Sequence, residues 1–210
     1  MNTALQIQTK QPKISFKQIF LLTLLTVALF MLTHWFSLKQ ATPNASNFKY
    51  EELTELAEEI YNAGAITDAV NNLPIDASAL AKMTSEIERI LRRTTDYPGC
   101  ELYYLQVLRS GDYPVLAYGN NVLSFERMQI GDVWKVGQTC NSQEGRYPSD
   151  LYYSNKELGL VLTERQLKYT VVKRGNYKEI LILEKLMIYT YSLWSGHSNL
   201  LKPPGCKIFR

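Results

Sequence analysis

Residues 18–38, "QIFLLTLLTVALFMLTHWFSL", carry no Asp, Glu, Lys or Arg. A helix of that length, at about 1.5 Å per residue, covers roughly 30 Å, the thickness of a bilayer's hydrocarbon core. A helix buried in a globular core would show a polar stripe, and this run has none. Trp35 and Phe36 stand at its far end, where aromatic rings favour the membrane interface. Two readings fit, an uncleaved transmembrane anchor and a cleaved signal peptide. Cleavage needs small residues just after the apolar run, whereas "THWFSLKQ" supplies bulky ones, so the anchor (a signal-anchor) is the better reading. The expectation is a single-pass protein of the inner (plasma) membrane, with the lipid bilayer as the partner of residues 18–38. Lys10, Lys13 and Lys17 precede the run, and Lys39 and Lys49 follow it. Positive charge stays in the cytoplasm, so this small excess places the C-terminal portion outside it.

Charge divides the rest of the chain. The net formal charge is +4 up to Lys39, −5 from Lys49 to Cys100, and +4 from Glu101 onward. A balance of +4 permits contact with nucleic acid or an acidic membrane but excludes a strongly basic protein. Three cysteines, Cys100, Cys140 and Cys206, form neither a C-x-x-C pair nor a disulfide framework. They are expected to be separate thiols, with one disulfide as the alternative if the domain is exported. The two histidines, His34 and His197, lack the spacing of zinc ligands.

After residues 1–17, a basic tail, and the span at 18–38, residues 39–48 read as a linker through "ATPNASN". Residues 49–96 read as a helical spacer. In "YEELTELAEEIYNAG", Tyr50, Leu53, Leu56, Ala57, Ile60 and Tyr61 share one face, and Gly64 ends the helix. A second helix is expected from Ala77 to Arg93, capped by Asp76 or Ser78, with Leu80, Met83, Ile87, Ile90 and Leu91 on one face. These faces suit core packing or a protein partner.

Residues 97–210 form the expected α+β domain, a small antiparallel three-stranded sheet with flanking helices. "ELYYLQVL" is apolar on both faces, as a central strand would be. "RSGDYP" reads as a turn, and "VLAYGNNVLSF" as a ragged strand or loop. "VWKVG" and "QLKYTVV" supply two further strands, and "YKEILILEKLMIYTY" a helix. On that helix Glu184 falls among Ile180, Leu183, Met187 and Ile188. A carboxylate there either pairs with a lysine at the edge of the stripe or is aimed into a site. Its neighbour Lys185, and the more exposed Lys178 and Glu179, need no such explanation. Arg146 follows a strand, Gly137 and a polar loop, a setting in which an arginine can grip a phosphate with two parallel hydrogen bonds. One cation with one carboxylate is what metal-assisted phosphodiester cleavage requires.

"LYYLQVL", then "VWKVGQT", then Arg146, then "LEK" on a helix together resemble the GIY-YIG nuclease domain in its divergent branches. The resemblance covers about the last 110 residues. More narrowly, "GDVWKVGQTCNSQEGRYP" with "LLKPPGCK" resembles the C-terminal domain of uncharacterised Bacteroidetes proteins. The resemblance implies that Tyr103 or Tyr104 stands for the tyrosine of the first motif. Val136 and Gly137 match the end of the second, Arg146 the arginine, and Glu184 the glutamate that binds Mg²⁺ or Mn²⁺. Asn199 is the candidate for the family's asparagine. Lys135 replaces the second motif's tyrosine, and with Arg146, Lys202 and Lys207 it is a candidate for nucleic-acid contact. The implied function is a membrane-anchored endonuclease with nucleic acid as partner. The alternative is a catalytically inactive, membrane-tethered binding or assembly module of the same fold. The full chain is expected to stay in the membrane pellet after an alkaline carbonate wash, and recovery in the supernatant would remove the anchor reading.

Overall fold

Strand β1, Cys100–Val107, is apolar on both sides and buried along almost its whole length, so a layer must cover each face of it. In a computed structural model that describes residues 49–118, 121–141, 147 and 166–207, both layers are present. β1 is the middle strand of an antiparallel three-stranded sheet, between β4 (Val133–Thr139) and β5 (Leu167–Gly175). The expected α+β class and sheet are therefore observed. Cys100 and Leu102 join Val133 and Val136 beneath helix α4, Tyr177–Tyr189. Tyr103, Leu105 and Val107 point to the opposite side and join Trp134, Tyr147, Leu167 and Tyr169.

The segment expected as a spacer forms a layer of this domain. Helix α1 spans Tyr50–Ala63 and buries Leu53, Leu56, Ala57 and Ile60. Gly64 ends it in the left-handed region, φ 64°, where its N–H donates to Ile60 and Tyr61 carbonyls, as a Gly-terminated helix requires. After the short α2 (Asp68–Asn71), α3 runs Ala77–Arg93. Asp76 caps it, its Oδ1 accepting the N–H groups of Ser78 and Ala79 at 2.9 and 3.2 Å. α1 and α3 both pack on α4, so Leu53, Ile60, Met83 and Ile87 share one core with Leu102, Leu183 and Met187. Asp96 fastens the joint. It accepts the Tyr61 hydroxyl at 2.6 Å and caps α4 by accepting the Lys178 N–H at 2.9 Å.

Three expectations are corrected. Gly111–Leu116 and Val122–Met128, read as a turn and a ragged strand, are the two strands of a hairpin, β2 and β3. β3 is mostly exposed, with Val122, Leu123 and Phe125 facing outward, so its sequence lacks the clean alternation of a half-buried strand. Tyr113, Leu116 and Met128 add to the second core. The C-terminal loop ties hairpin to sheet: Leu116 N–H donates to Pro204 O at 2.7 Å, and Gly205 N–H to Trp134 O at 2.7 Å. A final short helix, α5, spans Tyr191–Trp194.

The second correction concerns the cysteines. Cys100 and Cys140 form a disulfide, and only Cys206 is a free thiol, buried. Cys100 opens β1 and Cys140 follows β4, and the register of Glu101 opposite Thr139 makes the two neighbours across the sheet. The third concerns Lys185, read as a charge that needs no explanation: it is buried, with Nζ 3.1 Å from Glu86 Oε2 of α3. Glu179 is also largely buried, 3.1 Å from Lys173 Nζ. Among the described residues no helix is long and apolar enough to cross a membrane. The expected span at 18–38 lies outside them, as does Arg146.

The disulfide closes a loop with a sequence separation of 40, which the chain-entropy estimate values at about 4 kcal/mol. Denatured, unreduced protein should titrate with one thiol per chain, and the Cys100→Ser/Cys140→Ser variant should lose up to about that much unfolding free energy in urea. Three titratable thiols before reduction would remove the bond.

Candidate functional site

The outer edge of β4 borders a cavity of about 660 Å³, walled by the last turns of α3, by α4 and by the C-terminal loop. Its lining includes Tyr103, Lys135, Gly137, Glu184 and Lys207. Five of the residues singled out in the sequence thus meet in one place, although they come from β1, β4, α4 and the C-terminal loop. Tyr104, Lys202 and Asn199 do not line it.

The pleat separates the two tyrosines. Tyr104 projects to the helical side, where its ring stacks on Trp194 at 5.9 Å and its hydroxyl reaches Met187 Sδ at 3.6 Å. Burial pushes that hydroxyl well above the ordinary phenol value. Tyr103 projects to the other side. It is fully buried, stacked on Tyr169 at 4.5 Å, with its hydroxyl 3.2 Å from that of Tyr147. Tyr103 lies directly opposite Gly137 in the sheet register. A Cβ at Gly137 would sit 2.6 Å from the Tyr103 hydroxyl oxygen, so the bare glycine is what lets the ring lie across β4 at the cavity wall.

Glu184 is half-buried on α4, while its neighbour Lys185 is the one enclosed. Among the described lining residues Glu184 is the one carboxylate, set among Arg89, Arg93, Lys135, Lys185 and Lys207. Lys185 is already balanced by Glu86, whose Oε1 also accepts the Tyr189 hydroxyl at 3.1 Å. Among the described lining residues Arg89, Arg93 and Lys207 outnumber Glu184. Lys202 serves the fold instead: its Nζ donates to Leu116 O at 2.9 Å and to Cys206 O. Burial lowers its pKa.

Sequence reasoning missed Arg89 and Arg93. They stand one turn apart on α3 and both line the cavity. Their i, i+4 spacing was a usable signal, hidden because the helix read as a spacer outside the domain. Also missed was a polar cluster at His197. Its Nε2 lies 3.0 Å from Asp132 Oδ2 and its Nδ1 3.7 Å from Glu126 Oε1. Both ring nitrogens face carboxylates there, and the imidazole stacks on Tyr191, joining the hairpin to the C-terminal loop away from the cavity.

Because the Tyr103 ring is enclosed and cannot swing aside, Gly137→Ala should destabilise the domain by about 1–3 kcal/mol. In a Tyr103→Ala background the same substitution should cost little, a coupling that urea unfolding of the four proteins measures. Equal costs in both backgrounds would refute the contact.

Comparison with protein-family models, with curated proteins and with solved structures finds no match for this chain.

Proposed function

We propose that this is a membrane-anchored, GIY-YIG-like endonuclease that hydrolyses a nucleic-acid phosphodiester in the β4-edge cavity. The observation that carries the reading is the convergence there of Tyr103, Lys135, Gly137, Glu184 and Lys207, drawn from four separate stretches of the sequence. Arg146 joins the reading from the sequence alone.

The donor set suits one hard divalent cation. A single carboxylate is enough for Mg²⁺, which keeps most of its waters and takes further oxygens from a substrate phosphate. Glu184 is the residue that would hold it. Bound there, Mg²⁺ or Mn²⁺ would supply Lewis-acid polarisation of the phosphate. The chain's own groups do the rest. Lys135 and Lys207 hold and orient the phosphate, and with Arg146 they stabilise the charge that grows on its oxygens. In hydrolysis a water oxygen bonds to phosphorus, the ester P–O bond breaks, and the departing oxygen takes a proton. Tyr103, its hydroxyl beside that of Tyr147, is the candidate for proton transfer.

The Cys100–Cys140 disulfide supports the outside placement, since such bonds persist in oxidising compartments. The substrate is then incoming or transferred nucleic acid. A second reading, a binding or assembly module without hydrolysis, is favoured by two observations. Tyr103 is fully enclosed, and Lys135 stands at a motif position expected to hold tyrosine.

Detergent-solubilised full chain should nick plasmid and cut single-stranded circles when Mg²⁺ or Mn²⁺ is added. Glu184→Gln and Arg146→Ala should each lower the rate by roughly 100-fold or more, the usual effect of removing one transition-state partner. Equal activity in both variants would end the nuclease assignment, and nucleic-acid binding without cleavage would favour the second reading.

A further inference from the structure

The cavity has a second wall that lies outside the motif-bearing segment. Arg89 and Arg93 sit on α3, exposed, one turn apart, and without an ion pair among the described residues. Arg92, on a different side of the same helix, is 3.5 Å from Glu88. The two arginines on the cavity thus keep their charge available to a ligand. At the same end the cavity is lined by Tyr177, the first residue of α4. Its ring stacks on Tyr97 with centroids 4.8 Å apart and planes 25° from parallel.

This stack is built rather than incidental. Tyr177 N–H donates to Tyr97 O at 2.8 Å. The adjacent Asp96 is fixed by the Tyr61 hydroxyl and the Lys178 N–H, so the Tyr97 backbone is held from both sides. Yet Tyr97 remains 44% exposed, an aromatic surface left to solvent behind Tyr177, the ring that lines the cationic cleft. It stands four positions after Arg93, a Cα separation of at most about 14 Å, which a short oligonucleotide spans.

A basic groove beside a rigid, exposed ring is the arrangement that binds single strands, with phosphates on the cations and a base on the ring. A duplex hides its base faces in its own stack and offers such a ring nothing. We infer that the cleft takes single-stranded nucleic acid, with its backbone along Arg89 and Arg93 and one base on Tyr97. The inference rests on the nuclease reading for the ligand's place in the cleft, but it concerns binding and is tested without catalysis.

The measurement is fluorescence anisotropy of labelled oligothymidylate, and of a duplex of the same length, with full chain in detergent and EDTA present. The single strand should bind at least tenfold more tightly than the duplex. Tyr97→Ala should weaken single-strand binding roughly 5- to 100-fold, the range for loss of one base–aromatic stack. Tyr97→Phe should bind like wild type, since the ring survives, and so should Tyr118→Ala, an exposed ring on the hairpin. Arg93→Ala should weaken binding and lower the salt slope by about 0.7. Equal duplex affinity, or a Tyr97→Ala protein that binds like wild type, would overturn the inference even if cleavage occurs. Single-strand binding that depends on Tyr97, without cleavage under Mg²⁺, would uphold it and reject the nuclease reading.

Discussion

Helix α4 is enclosed on nearly every side, and much of the domain's layout follows from that enclosure. Ile180, Ile182, Leu183, Leu186, Met187, Ile188 and Tyr189 are all buried, some against the sheet and others against α1 and α3. A helix apolar around its circumference cannot rest on a sheet with its back to water. The sequence before β1 must therefore supply a covering layer, and α1 and α3 are that layer. Lys185 lies in the covered part, so its charge needs a partner. Glu86 of α3 provides one, and removing Lys185 would leave the Glu86 carboxylate largely buried without this ion pair. The ion pair thus ties the cover to the helix. Leu181 and Glu184 sit where the cover ends and the cavity begins.

The second core sets the other wall. Tyr103, Tyr147 and Tyr169 pack ring against ring on one side of the sheet, and Trp134 lies flat on Gly205, whose missing Cβ leaves the space. The Trp134 indole N–H donates to Pro114 O of the hairpin at 3.0 Å. The hairpin inserted between β1 and β4 is thereby more than a long connection. It holds the loop at residues 203–206 against β4, and that loop delivers Lys207 to the cavity.

Where one element's own pattern decided its environment, the sequence was legible. β1 declares two covered faces through "ELYYLQVL", and α1 and α3 declare their limits through Gly64 and Asp76. Glu184 stood out because a carboxylate interrupts an apolar stripe. What could not be read depended on partners remote in sequence. Lys185 looked ordinary because its burial comes from α3, about 100 residues earlier. The Cys100–Cys140 bond follows from strand register, and spacing does not reveal register. Arg89 and Arg93 become part of a site only when α3 lies beside α4. Tyr103 and Tyr104 could not be told apart until the pleat assigned them to opposite faces.

The charges of the cavity are of two kinds, and the difference bears on what it can hold. Lys185 is compensated and structural. Arg89 and Arg93 are exposed, so the fold spends little desolvation on them, and they keep water and counterions until an anion arrives. A polyanion that displaces those counterions gains from their release. Cys206 lines the same cavity, and burial pushes its thiol up to about 11. At neutral pH it is therefore an uncharged thiol rather than a second anion. The negative charge described in this cleft then belongs to Glu184, set against several cations. Such a balance of charge suits an anionic ligand better than a cationic one.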